Sequence, residues 1–125
     1  MIGYTTVGTN DLARSAEFYD SLLGLLGAAR TIEAEDFIAW GKSAESPMFS
    51  IHIPADGKTA TVGNGVMIAL PASDMKKVTQ VHKKAIELGG SDEGLPGPRG
   101  DSGFYAAYFR DLDGNKLNAH CMTNK

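Results

Sequence analysis

Cysteine is almost missing from this chain: Cys121 stands alone among 125 residues, so no disulfide can form within it. A single thiol fits a reducing compartment, and the cytoplasm is the expected location. Cys121 itself reads as a small core residue rather than a nucleophile. Long apolar runs are missing as well. Residues 22–29 form one of the longest, far short of the roughly 20 residues that cross a bilayer. The first residues carry no basic segment followed by an apolar run, so neither export nor a membrane span is expected.

Positive charge is equally thin. The net charge is −3, and the one group of lysines, Lys76, Lys77, Lys83 and Lys84, falls on the polar side of a helical pattern. A nucleic-acid surface calls for a basic patch with interleaved aromatics, so no nucleic-acid partner is expected. No glycine-rich phosphate loop, paired-cysteine motif or nucleophile elbow occurs, and the 15 glycines read as turns and loops.

What the chain does contain is a repeat. The apolar period predicts a helix over residues 11–26, capped by Asn10, with Leu12, Ala16, Tyr19, Leu22, Leu23 and Leu26 on one face and Gly27 as its stop. A second helix is predicted over residues 74–88, capped by Ser73, with Met75, Val78, His82, Ala85 and Ile86 inward and Gly89 and Gly90 after it. A shift of 63 positions superposes the two, placing Asn10 on Ser73, Phe18 on Val81 and Gly27 on Gly90, and also places the strand at residues 2–7 on residues 65–70. Tyr4 then matches Met67.

Further along, a shift of 68 puts residues 37–40 on 105–108 and residues 48–53 on 116–121, so Trp40 pairs with Tyr108. An insertion of about five residues explains the change and falls in residues 89–103, whose glycine and proline content reads as loop. Short runs at residues 31–34, 37–41, 48–53, 105–110 and 116–121 read as strands, with Asp113-Gly114 as the turn between the last two. The repeat also demands a strand near residues 91–93, where no strand signal is visible. The expected fold is therefore one α+β domain of two tandem βαβββ modules, residues 1–53 and 65–121, joined by a linker at residues 54–64. Their curved sheets are expected to enclose a cup, with the helices outside.

Strand alternation sorts the side chains. Phe49, Ile51 and Ile53, with Leu117, Ala119 and Cys121, should pack under the helices. Ser50 and His52, with Asn118 and His120, face the other way, as a cavity wall would. His52 and His120, one from each half, could hold a metal or exchange protons, or could simply be half-solvated strand-end residues. His82 reads as a residue at the edge of the core. Tyr4, Trp40 and Tyr108 could stack on a planar ligand or fill the core. The loop around Arg99 could be a lid, with Arg99 or Arg110 meeting an anionic substrate, or a surface excursion. The expected ligand pocket comprises Tyr4, Thr6, Trp40, Ser50, His52, Met67, Tyr108, Asn118 and His120, with no catalytic residue assigned.

The paired βαβββ pattern, the opening GTNDLARSAEFYDSLLGLLGA and the closing YAAYFRDLDGNKLNA resemble the vicinal oxygen chelate superfamily, which includes glyoxalase I, bleomycin and fosfomycin resistance proteins and extradiol dioxygenases. Leu112 stands where that family usually has proline. The resemblance implies that metal-dependent members would hold a divalent ion at the positions of Tyr4, Ser50, Met67 and Asn118. These four supply a phenol, a hydroxyl, a thioether and an amide, with no charge among them, so no metal and no other cofactor is expected there. The implied function is binding of a small molecule in the cup without the family metal. The alternative is a metal-dependent lyase, isomerase or dioxygenase with its metal relocated to His52 and His120, and a third reading is a structural or interaction module. A homodimer is implied by the resemblance; whether the cup forms within or between chains stays open.

Overall fold

A computed structural model describes residues 1–124 and contains two successive βαβββ units. The first comprises β1 (Tyr4–Gly8), α1 (Leu12–Gly24), β2 (Ala29–Glu33), β3 (Phe37–Gly41) and β4 (Met48–His52). The second comprises β5 (Ile68–Pro71), α2 (Met75–Glu87), β6 (Ser91–Pro98), β7 (Phe104–Arg110) and β8 (Lys116–Met122). Each unit has its own four-stranded sheet, ordered β1-β4-β3-β2 and β5-β8-β7-β6. In both, the first strand runs parallel to the last and the remaining pairs are antiparallel. No ladder joins one sheet to the other among the described residues.

The helices start one residue later than the sequence pattern suggests. Asp11, with extended backbone, accepts the Arg14 amide at 3.1 Å, and Asp74 accepts the Lys77 amide at 2.8 Å, so these aspartates rather than Asn10 and Ser73 are the caps. The repeat survives, because Asp11 and Asp74 are themselves related by the same shift. Asn10 is engaged elsewhere: its side chain accepts the Ala60 amide at 2.7 Å and pins the linker. Gly27 and Gly89, at φ +82° and +102°, supply the left-handed turn that ends each helix.

On α2 the buried residues are Val78, Val81, His82 and Ala85, while Met75 and Ile86 are exposed, so the apolar stripe is rotated from the expected one toward Val81. On α1 the repeat partner of Val81, Phe18, is buried as well. The reason is that α1 and α2 pack against each other, so each helix buries a flank besides the face over its own sheet. One apolar core consequently runs through both modules, from Trp40 and Phe49 to Phe109 and Leu117. The two sheets turn their helix-covered faces to this core and leave the opposite faces outside it.

Residues 89–103 are not all loop. They contain β6, the strand that the repeat demanded, at the outer edge of its sheet and with register slips on either side of Gly94. Its glycines and prolines hid it, yet an edge is where proline can be accommodated. Arg99 donates its amide inward to the Phe104 carbonyl at 2.8 Å, so the adjacent Pro98 faces outward, where no partner amide is needed.

Candidate functional site

The site is built from the sheet faces that the helices do not cover. On β4, Ser50 sits opposite Ala39 of β3 and beside Thr6 of β1, while His52 sits opposite Phe37. On β8, Asn118 sits opposite Tyr108 and His120 opposite Ala106. Phe49 and Leu117, one residue away, lie opposite Trp40 and Phe109 and point into the core. This register corrects the expected pairing of Trp40 with Tyr108. The repeat partner of Tyr108 is Ala39, and that of Trp40 is Phe109. A one-residue slip in aligning the strands had exchanged their faces.

Trp40 accordingly is 1% exposed in the helix-side core, where it donates from Nε1 to Asp20 at 2.9 Å. The remaining expected residues divide by sheet. Tyr4, Thr6, Ser50 and His52 share the open face of the first, and Tyr108, Asn118 and His120 that of the second, with Met67 just before β5. The chain alone does not join these two groups through any strand pair. Three residues that sequence reasoning passed over complete the faces. Phe37 stacks on His52 and Phe104 on His120, each with centroids 5.6 Å apart, and Lys116 lies two residues before Asn118 on the same face. Plain alternation from Asn118 would have found Lys116.

Hydrogen bonding fixes what these groups can do. The buried Ser50 hydroxyl donates to the Thr5 carbonyl at 2.8 Å, tying β4 to β1. The buried Asn118 oxygen accepts the Leu70 amide at 3.3 Å and lies 3.0 Å from His120 Nδ1. An amide oxygen only accepts, so His120 carries its proton on Nδ1 and keeps a lone pair on Nε2. His52 contacts the Ile53 carbonyl through Nδ1 and has the same tautomer by the same argument. Burial lowers the His120 pKa from its ordinary 6.5, favouring the neutral ring.

These donors do not fit a divalent ion at the positions that the resemblance suggests. Two of the four side chains, Ser50 and Asn118, are already bound to neighbouring backbone, and the phenol of Tyr4 and thioether of Met67 add no charge. Among the described residues no three His, Cys, Asp or Glu side chains cluster as a metal site would.

A predominantly apolar hollow lies elsewhere, between the modules. It measures about 600 Å³ and is walled by Leu23, Leu26, Trp40 and Phe49 on one side and Met67, Ile68 and Leu70 on the other. It has few polar groups to orient a ligand and opens at the exposed Ile2. A smaller hollow of about 480 Å³ lies against the second sheet, between residues 62–67 and the side chains of Arg110 and Lys116. Of the expected pocket residues Met67 borders both hollows and Trp40 the first, while the cations Arg110 and Lys116 border the second.

The chain matches the glyoxalase/bleomycin resistance protein/dioxygenase superfamily over residues 1–119. A glyoxalase/bleomycin resistance protein from Albidiferax ferrireducens T118 is 36% identical, with 96% of this chain and 97% of that one covered and a TM-score of 0.87. A hypothetical protein from S. aureus is 25% identical over 96% and 91%, with a TM-score of 0.72. A lactoylglutathione lyase from Agrobacterium tumefaciens, 19% identical over 96% and 92% with a TM-score of 0.68, shares the fold. Among curated protein sequences none matches. Extent of match, topology and identity together make the chain a member of the glyoxalase/bleomycin resistance protein/dioxygenase superfamily.

Proposed function

We propose that this protein binds a small molecule in a cup built from its uncovered sheet faces, and that it does so without the metal used by metal-dependent members of its superfamily. The observation that carries this reading is the engagement of Ser50 and Asn118 with neighbouring backbone. A residue that secures its own sheet is a poor metal ligand but a good wall. The aromatic and polar mixture around them, Tyr4, Phe37, His52, Phe104, Tyr108 and His120, offers stacking area with a few oriented hydrogen-bonding groups.

The cup in this reading is shared by two copies of the chain. β1 and β5 lie at open sheet edges, and the apolar residues flanking them are exposed: Ile2 at 55%, Tyr4 at 66%, Val66 at 59% and Met67 at 37%. Each chain contributes two half-cups on opposite sides of a common core, and a partner closes each one. Light scattering after size exclusion should give a dimer, with Tyr4→Asp and Met67→Asp together shifting it to monomer.

Metal analysis of purified protein after incubation with zinc, nickel, manganese and iron, with a thermal-shift screen of small molecules alongside, tests the function. The expected result is no stoichiometric metal and at least one ligand class that raises the melting temperature of the wild type but not of Tyr108→Ala. A metal retained at one per cup and lost on His52→Ala or His120→Ala would overturn it in favour of a metal-dependent enzyme.

A further inference from the structure

The chain is acidic overall, with a net charge of −3, yet the open face of its second module gathers cations. The Arg99 guanidinium lies 5.3 Å from the centre of the Tyr108 ring and the Lys116 ammonium 5.5 Å from it. Arg110 pairs with Lys116 across β7 and β8, one row from the Tyr108–Asn118 pair. These three cations have different duties. Arg99 is consumed by backbone, donating to the Leu95 and Gly97 carbonyls at 2.7 and 2.9 Å, and so stiffens β6. Arg110 gives Nε to Glu93 at 3.1 Å and Nη1 to the Gly114 carbonyl at 2.8 Å; its Nη2 has no partner among the described residues.

Lys116 is the informative one. It is half-buried, and among the described residues no carboxylate lies within ion-pair distance of it. Its ammonium rests against the Tyr108 ring face with no acidic side chain to neutralise it. Lys116 and Arg110 line the 480 Å³ hollow, whose opposite wall is the turn at residues 63–66. There Gly65 adopts φ +96° and Val66 donates back to the Gly63 carbonyl at 3.2 Å. The Asn64 and Gly65 amides have no acceptor among the described residues. A lysine, a spare guanidinium nitrogen and two turn amides around one hollow are the donor set of an oxyanion site.

We infer that Lys116, Arg110 and the 63–66 turn form an anion subsite, so that the molecule taken up carries a carboxylate or phosphate. This rests on the proposal that the uncovered faces bind a small molecule, and it names the chemical class of that molecule. The order of the rows sets the geometry. The anion sits level with Lys116 and Met67, and the rest of the molecule extends toward the rows of Asn118 and His120.

Calorimetric titration of the full chain with phenyl phosphate, inorganic phosphate, benzoate and benzyl alcohol tests it, with far-UV circular dichroism and melting temperature establishing that each variant is folded. Phenyl phosphate and benzoate should bind on the order of tenfold or more tightly than benzyl alcohol, the size of one charge-assisted contact, and weaken as salt is raised. Lys116→Met should remove that margin and Lys116→Arg should keep it. Benzyl alcohol binding as tightly as phenyl phosphate, or a Lys116→Met variant that keeps its affinity for phenyl phosphate, would overturn the anion subsite while leaving small-molecule binding intact. Failure of all four probes to bind would overturn both.

Discussion

Tyr19 and His82 occupy the same place in the two modules, on the sheet-facing side of α1 and α2 and 63 positions apart. Both are buried and both bond a carboxylate, but the carboxylates differ in where they lie. Tyr19 donates to Asp111 at 2.6 Å, in the turn between β7 and β8 of the other module. His82 meets Asp92 at 2.9 Å, on β6 of its own module. Burial, and then the charge of Asp111, raise the Tyr19 pKa well above its ordinary value, while the bond to His82 and then the Gly94 amide lower that of Asp92. One helical position thus fastens the modules together in the first copy and fastens a helix to its edge strand in the second. Duplication supplied the position, and the partner decided its duty.

Packing differs in the same way. Under α1 the space is filled by rings: Tyr19 lies 4.6 Å from Phe49 and 5.8 Å from Trp40, centroid to centroid, and Phe18 stands edge-on to Tyr19. Under α2 the fully buried set includes Ala85, Ala107 and Ala119, and the helix touches β6, β7 and β8 directly. The same topology is stabilised by large side chains over a wider gap in one half and by close approach in the other.

The two halves should therefore break in opposite ways. Truncating Trp40→Ala, which opens a cavity and strands the Asp20 contact, is expected to cost about 3–5 kcal/mol by chemical denaturation. The matching injury to the second module is enlargement. Ala107→Leu should cost about 1–3 kcal/mol by overpacking, and a smaller loss than for Trp40→Ala in both would mean that the second half yields where the first does not. Tyr19→Phe keeps the ring and removes only the bond between modules, for about 1–2 kcal/mol. A loss of cooperativity in its unfolding curve would further identify this bond as what makes the halves melt together.

The smallest effect concerns pH. Because His120 has a lower pKa folded than unfolded, the unfolded chain binds the additional proton, and stability falls as pH drops below about 6.5 until the folded value is passed. His120→Gln should flatten that part of the stability–pH curve, and an unchanged slope would show that burial at this position is too slight to matter.

The repeat was legible because helix caps, apolar spacing and stops recur at one shift, and these local signals are strong. Its last details were not. Asp11 and Asp74 lie beside equally good capping residues, so only the backbone decides between neighbours. β6 was concealed because Pro96, Pro98 and its glycines are turn formers everywhere except on an edge. The face occupied by Trp40 was misread because the loop between β3 and β4 is one residue longer than that between β7 and β8. No propensity distinguishes an aromatic under a helix from one on an open face. Ser50, His52, Asn118 and His120 were sorted correctly by alternation alone, since β4 and β8 align without a gap.

The prolines of β6 bear on how copies of this chain can meet. An incoming strand needs amide hydrogens along the edge it joins. Pro98 presents none on the outer side of the second sheet, while Arg30 and Glu33 place charge along β2 at the outer side of the first. Of the opposite edges, β1 with Tyr4-Thr5-Thr6-Val7-Gly8 carries no charge and no proline, while β5 with Ile68-Ala69-Leu70-Pro71 is uncharged but ends in a proline beside Ala72, whose amide turns inward to the His120 carbonyl at 2.8 Å. The first sheet is thus blunted at β2 and open at β1, while the second carries a proline at both margins. Strand addition is thus discouraged at three of the four sheet margins and left open at β1.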